Sequence, residues 1–153
     1  MADIGKAFSA TWKKAAMIAV AWGVIASILG YIPIINAVSL LITVPMAFIV
    51  PIAVGYLVNQ GKVEMGNAAI TGGVAGFVYG VFAGIIGIVF AIINIVLGVG
   101  AAGALGSAQG AGSAAAGGIV GIILAVVIGL PVGIVLSIVL AAIGGIIYAA
   151  TKK

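Results

Sequence analysis

Polar positions are so sparse along this chain that the apolar runs between them define the architecture. From Ala15 to Val58 no residue is charged. A helix rising 1.5 Å per residue crosses roughly 30 Å of hydrocarbon in about 20 residues, so this stretch holds two spans. Their turn is expected near Tyr31, Pro33 and Asn36, because proline disfavours helix at the residue before it and asparagine suits a turn or cap. The spacing predicts span one over 15–32 and span two over 37–58. Pro45 and Pro51 fall inside span two, where each deletes a backbone hydrogen bond and predicts a bend.

The interval Asn59 to Asn67, with Lys62 and Glu64, is the one polar break in the interior and reads as a cytoplasmic loop. Span three is expected over 68–97 and span four over 118–150, with Pro131 as its kink. Both exceed the minimum length, which predicts tilt, kinking or projection beyond the bilayer. Between them, 98–117 is a charge-free run of Gly, Ala and Ser around Gln109. It is read as an outer loop, with helix extension or a re-entrant segment as the alternatives. Ahead of span one, Ile4, Phe8 and Trp12 recur every fourth residue with Lys6 and Lys13 opposite. That pattern predicts a short interfacial amphipathic helix over 1–14, anchored by Phe8, Trp12, Lys13 and Lys14, the alternative being a straight helical extension of the first span. The first apolar run is taken as a retained anchor rather than a cleaved leader, because three more spans follow it. The fold class expected is all-α: an integral membrane four-helix bundle with a short N-terminal interfacial amphipathic helix, forming a single membrane domain over 1–153.

Composition sharpens this reading. Of 153 residues 65% are hydrophobic and 5% charged, against about 45–50% and 25% in soluble domains, so lipid rather than water must cover the exterior. The net charge of +4 comes from six lysines and two acids. Lys6, Lys13 and Lys14 precede the first run, Lys62 lies in the loop, and Lys152 and Lys153 follow the last. Four spans return the C-terminus to the side of the N-terminus, and lysines on that one side mark it as cytoplasmic, in contact with anionic headgroups rather than nucleic acid.

The 25 glycines are not scattered. Gly72, Gly76, Gly80 and Gly84 recur every fourth residue, and the row continues through Gly87, Ala91, Asn94 and Gly98. In span four the row is Gly117, Gly121, Ala125, Gly129, Gly133, Ser137, Ala141, Gly145 and Ala149; span one has Ala15, Ala19, Gly23 and Ser27. Glycine costs a helix about 1 kcal/mol relative to alanine in water, so something must offset the accumulation. In lipid, helices associate through close backbone approach, which small-xxx-small faces allow. The rows are therefore read as helix-packing faces. Because fourfold spacing drifts by about 40° per step on a 3.6-residue helix, the row of span four should wind and change partners along its length.

Chemistry lacks its parts. With no His, Cys or Arg and only Asp3 and Glu64 as carboxylates, metal clusters, nucleophilic triads and paired-acid catalysis have no residues, and no cofactor is implied. The letters Gly98-Val99-Gly100-Ala101-Ala102-Gly103 match a dinucleotide fingerprint but have no strand before them and no acid after. Gly61-Lys62 lacks the remaining residues of a phosphate loop. No span holds an ionisable group, which removes the usual means of ion coupling and the mid-membrane acid of rotary proteolipid rings. Among the polar residues left inside, Asn94 lies on the small face of span three, where its amide is expected to bond a neighbouring helix.

Gly55-Tyr56 before the loop and Gly66-Asn67-Ala68-Ala69-Ile70-Thr71-Gly72-Gly73-Val74-Ala75-Gly76 after it resemble a broad group of small four-span, glycine-rich membrane proteins of unknown function common in archaea. The resemblance covers the middle third of the chain and implies a compact membrane module. The expected role is a non-enzymatic structural or accessory subunit that associates with itself, as a homo-oligomer, or with a membrane complex. The alternative is an oligomeric channel lined by glycine-rich helices.

Overall fold

A computed structural model describes residues 3–31, 33–61, 63–96 and 123–152, with the side chains of 30, 31, 33–40, 94–96 and 125 also outside the description. Among the described residues the fold is all-helical: α1 (Ile4–Tyr31), α2 (Pro33–Val58), α3 (Met65–Val96) and α4 (Leu130–Thr151), the last preceded by a π-helical turn, Ala125–Gly129. Four stretches are long and apolar enough to cross a bilayer, Ile4–Leu29, Leu41–Val58, Met65–Ile93 and Val126–Thr151.

Each boundary has a local cause. Asp3 caps α1: its side-chain Oδ1 accepts from the Gly5 N–H at 3.0 Å and its carbonyl from the Ala7 N–H at 2.9 Å. A carboxylate there satisfies an orphan donor and suits the positive end of the helix dipole. α2 opens on Pro33, whose missing N–H costs nothing at a first helical position. Gly61, φ +75°, lets the chain reverse between α2 and α3 in a conformation that side chains disfavour. The Glu64 carbonyl accepts from the Ala68 N–H at 2.9 Å and starts α3. At the start of α4, Pro131 can neither donate to the carbonyl four residues back nor fit its ring beside it, and the π turn Ala125–Gly129 widens the helix where that conflict falls.

Three expectations need correction. A separate short helix over 1–14 followed by a span from 15 is not what forms: one helix runs unbroken from Ile4 to Tyr31. Lys13, Lys14, Ala15 and Ala16 are all good helix formers, so nothing breaks it. α2 also begins earlier than expected, at Pro33 instead of residue 37, and takes Asn36 into its first turn. α3 begins at Met65, three residues before the expected 68. The expected outer loop over 98–117, the beginning of span four, Gly121 and Lys62 lie outside the described residues.

Two compact units make up the chain. Unit 1 comprises Met1–Ala19, Phe48–Val81 and Ile134–Lys153; unit 2 comprises Val20–Ala47 and Phe82–Gly133. All eight charged residues of the sequence fall in the three segments of unit 1 and none in those of unit 2. In unit 1 the buried residues are mostly small, among them Ala15, Ala19, Ala68, Ala75, Ser137 and Ala141, with Tyr79 and Tyr148 the largest. Large aliphatics point outward instead: Met17 is 72% exposed. In unit 2, Ala26, Ser27, Thr43, Ala47 and Ala91 are buried while Leu41 and Val127 are exposed. An exterior this apolar around an interior of small residues reverses the arrangement water imposes and fits acyl chains as the solvent.

Candidate functional site

The closest helix approaches in unit 1 converge on α4. Ser137, Ala141, Gly144, Gly145, Tyr148 and Ala149 are its buried residues. Against α3 the contacts run antiparallel, stepping four residues up one helix as they step down the other. A β-carbon placed on Gly72 would meet the Ala141 carbonyl oxygen, one on Gly76 the Ser137 carbonyl oxygen, and one on Gly80 would come 2.9 Å from the Ile134 α-carbon. The packing is reciprocal: a β-carbon on Gly145 of α4 would meet the Ala68 carbonyl oxygen of α3. α2 does the same with α4, Gly55 facing the Ala141 carbonyl and Gly144 facing the Ile52 carbonyl. All these carbonyl approaches are under 3.0 Å, closer than real β-carbons come.

The geometry has a chemical meaning. Where a glycine takes the place of any other residue, the hydrogen that replaces Cβ is aimed at the neighbour's carbonyl oxygen, the arrangement of a Cα–H···O contact, worth roughly 0.5–1 kcal/mol. Ala141 receives two such approaches, from Gly55 and Gly72. The adjacent Gly144 and Gly145, about 100° apart around the helix, serve α2 and α3 respectively. In unit 2 the glycines meet side chains instead: a β-carbon on Gly23 would lie 2.9 Å from Ile86 Cγ2, and one on Gly84 would lie 3.3 Å from Leu130 Cδ1.

A polar latch closes the same face of unit 1. Asn59, immediately after α2, is buried, and its Nδ2 donates to the Gly55 carbonyl at 2.7 Å and to the Ala68 carbonyl at 3.4 Å. One amide thereby ties the last turn of α2 to the first turn of α3. The Tyr148 hydroxyl of α4 donates to the Gly61 carbonyl at 3.1 Å, and its ring meets Tyr56 edge-on, centroids 5.2 Å apart. The Gly55 carbonyl lies in the last turn of α2 and the Gly61 carbonyl in the connection, where carbonyls are short of intrahelical donors, whereas the Ala68 carbonyl takes the Asn59 amide as an additional donor at the start of α3.

Of the residues singled out from sequence, Gly72, Gly76, Gly80 and Gly145 meet α4 or α3 backbone in unit 1, and Gly84 meets a side chain in unit 2. Gly129 sits in the π turn and Gly133 in the second turn of α4, both half-buried. Asn94 lies in the last turn of α3 with its side chain outside the described residues. At the start of α1, Ile4, Phe8 and Trp12 are exposed, as are Lys6, Lys13 and Lys14, while the helix is buried along Ala7, Thr11, Ala15 and Ala19. The α1 row of small residues thus begins two turns earlier than the sequence reading placed it. Thr11 fits it because its hydroxyl donates to the Ala7 carbonyl at 2.7 Å and needs no other partner, as Ser27 does to Gly23 at 2.6 Å.

Sequence reasoning passed over Gly55, Gly144 and Asn59 as packing residues and gave Tyr148 no inward role. Tyr148 is 8% exposed and turned inward. The available signals were the paired glycines at 144 and 145 and an asparagine four residues after a glycine at the end of an apolar run, a helix C-cap pattern. Compared with family models, with curated proteins and with solved structures, the chain matches none.

Proposed function

We propose that this chain is a non-enzymatic polytopic membrane protein, a structural or accessory subunit whose glycine and alanine rows pack its helices tightly, with both termini and the α2–α3 connection on the cytoplasmic side. The observation that carries the reading is the reciprocal seating of glycines on carbonyls around α4 in unit 1. Such an interior leaves little to rearrange, because backbone meets backbone on both sides of α4, and a module of this kind suits a fixed place in lipid. The gathering of all charge into the segments of unit 1 supports the one-sided topology. Phe8, Trp12, Lys13 and Lys14 serve as the anchor at that surface, now as the first turns of a continuous α1.

Association with copies of itself or with partner subunits completes the proposal, since lipid gives large outward aliphatics no reason to hide and leaves small-residue surfaces and shape to select neighbours. Crosslinking in native membranes, followed by identification of the crosslinked neighbours, tests it. Recovery of a defined partner or a defined homo-oligomer is the expected result; a chain that crosslinks to nothing overturns it. The channel reading requires glycines to face a lumen, whereas Gly72, Gly76 and Gly80 face α4. Flux in liposomes altered by Gly80→Leu or Gly129→Leu would revive it.

A further inference from the structure

We infer that the first three turns of α1 form a fixed binding edge for anionic phospholipid headgroups, in which Lys6 and Lys13 supply the charge, Lys14 flanks it and Trp12 positions it at the acyl boundary. The inference deepens the proposal that this end of the chain lies at a membrane surface and rests on it.

The argument starts from how α1 is held. Its Ala7, Thr11, Ala15 and Ala19 row is buried in unit 1, so the segment cannot roll as a free surface helix would. Each residue turns about 100° around the axis. Phe8 and Trp12 therefore stand one step from the buried row, beside it, and Lys13 stands a further step round. Lys6 and Lys13, seven residues apart, share the face opposite the buried row. Trp12 is 38% and Phe8 45% exposed, and the Lys13 ammonium lies 5.8 Å from the centre of the Trp12 ring. That distance is within cation–π range and keeps the charge next to the aromatic plane. An indole prefers the boundary between headgroup and acyl chain, so it sets the depth at which the ammonium groups meet phosphate.

Charge complementarity selects the occupant. Among the described residues Lys6, Lys13 and Lys14 form no ion pair, and the neighbouring Asp3 carboxylate is engaged at the Gly5 N–H. Three unpaired ammonium groups on one helix beside exposed aromatics fit a lipid with a net negative headgroup better than a zwitterion, whose own cation would oppose them.

Full-length protein carrying Trp22→Phe, so that Trp12 is the sole tryptophan, is placed in nanodiscs of phosphatidylcholine with a minor fraction of acyl-brominated lipid. Brominated phosphatidylglycerol should be enriched at Trp12 over brominated phosphatidylcholine by roughly fivefold or more, the factor one lysine carries near a headgroup layer. Lys6→Gln, Lys13→Gln and Lys14→Gln together should abolish the preference, and the three arginine substitutions should keep it. Equal quenching by both lipids, or a preference that survives the glutamine variant, overturns the inference. Absence of quenching by either lipid also overturns it and removes the membrane-surface placement on which it rests. A chain that shows the lipid preference yet crosslinks to nothing leaves the binding edge standing and removes only the proposed association.

Discussion

Tyr148 and Ser137, about three turns apart on α4, illustrate opposite fates of a buried hydroxyl. The Tyr148 hydroxyl donates to Gly61, in the α2–α3 connection, and the ring packs on Tyr56. Tyr148→Phe keeps the ring and removes only the hydrogen bond, so denaturation in mixed micelles should show a loss of about 1 kcal/mol. Tyr148→Ala should lose more, since an edge-to-face pair is worth about 0.5–1.5 kcal/mol beyond its buried area. Ser137 is fully buried, and its hydroxyl has no partner among the described residues. An unpaired buried hydroxyl is a cost, so Ser137→Ala should leave stability unchanged or raise it by about 1 kcal/mol in the same assay. The residue is then there for its size, since Gly76 and Gly80 pack against it and a larger side chain would separate α3 from α4. Sequence marked Ser137 as one small member of a row and gave Tyr148 no inward role. The row position was legible because fourfold spacing carries it. The inward turn of Tyr148 was not, because nothing in the spacing reveals that Gly61 would bring a bare carbonyl within its reach.

At the level of the helices, the same residue type has opposite consequences depending on what faces it. Gly66, in the first turn of α3, has nothing within 4 Å of where a methyl would stand, whereas a methyl at Gly76 would meet the Ser137 carbonyl and the Ala141 β-carbon. Gly66→Ala should therefore gain up to about 1 kcal/mol from helix propensity. Gly76→Ala must overcome backbone overlap that no rotamer change relieves, and should lose about 1–3 kcal/mol net. A series across Gly55, Gly66, Gly72 and Gly76, unfolded under one set of conditions, would show whether stability follows the facing atoms rather than the glycine count; equal losses at all four would contradict the packing account. The rows were readable from sequence because small residues repeat with the helix, but the partners were not. Gly144 lies outside the fourfold row and meets α2 because it stands one residue before Gly145, turned toward the other neighbour. The helix ends were harder still. Continuity of α1 through Lys13 and Lys14 was settled by helix-forming residues, although the amphipathic pattern before them suggested a separate element.

For the whole molecule the sharpest consequence lies in the distribution of charge. Residues 1–19, the α2–α3 connection and the end of α4 come from three distant parts of the sequence, yet they belong to one compact unit that holds every lysine and both acids. A bilayer resists transfer of ammonium groups and, through the bias of insertion, retains lysine-rich flanks in the cytoplasm. On the topology proposed above, the three segments share a side. The chain has no cysteine, so single substitutions report on that side without interference. Ser9→Cys and Gln60→Cys, both at exposed positions, and Thr151→Cys at the end of α4 should react with an impermeant maleimide only when the cytoplasmic face is open to it. Gln109→Cys, between spans three and four, should react only from the opposite face. The decisive comparison is between Gln60 and Gln109, because they are separated by a single span. Labelling of both from one side would mean that α3 does not cross, and the four-span reading would fail at its longest helix.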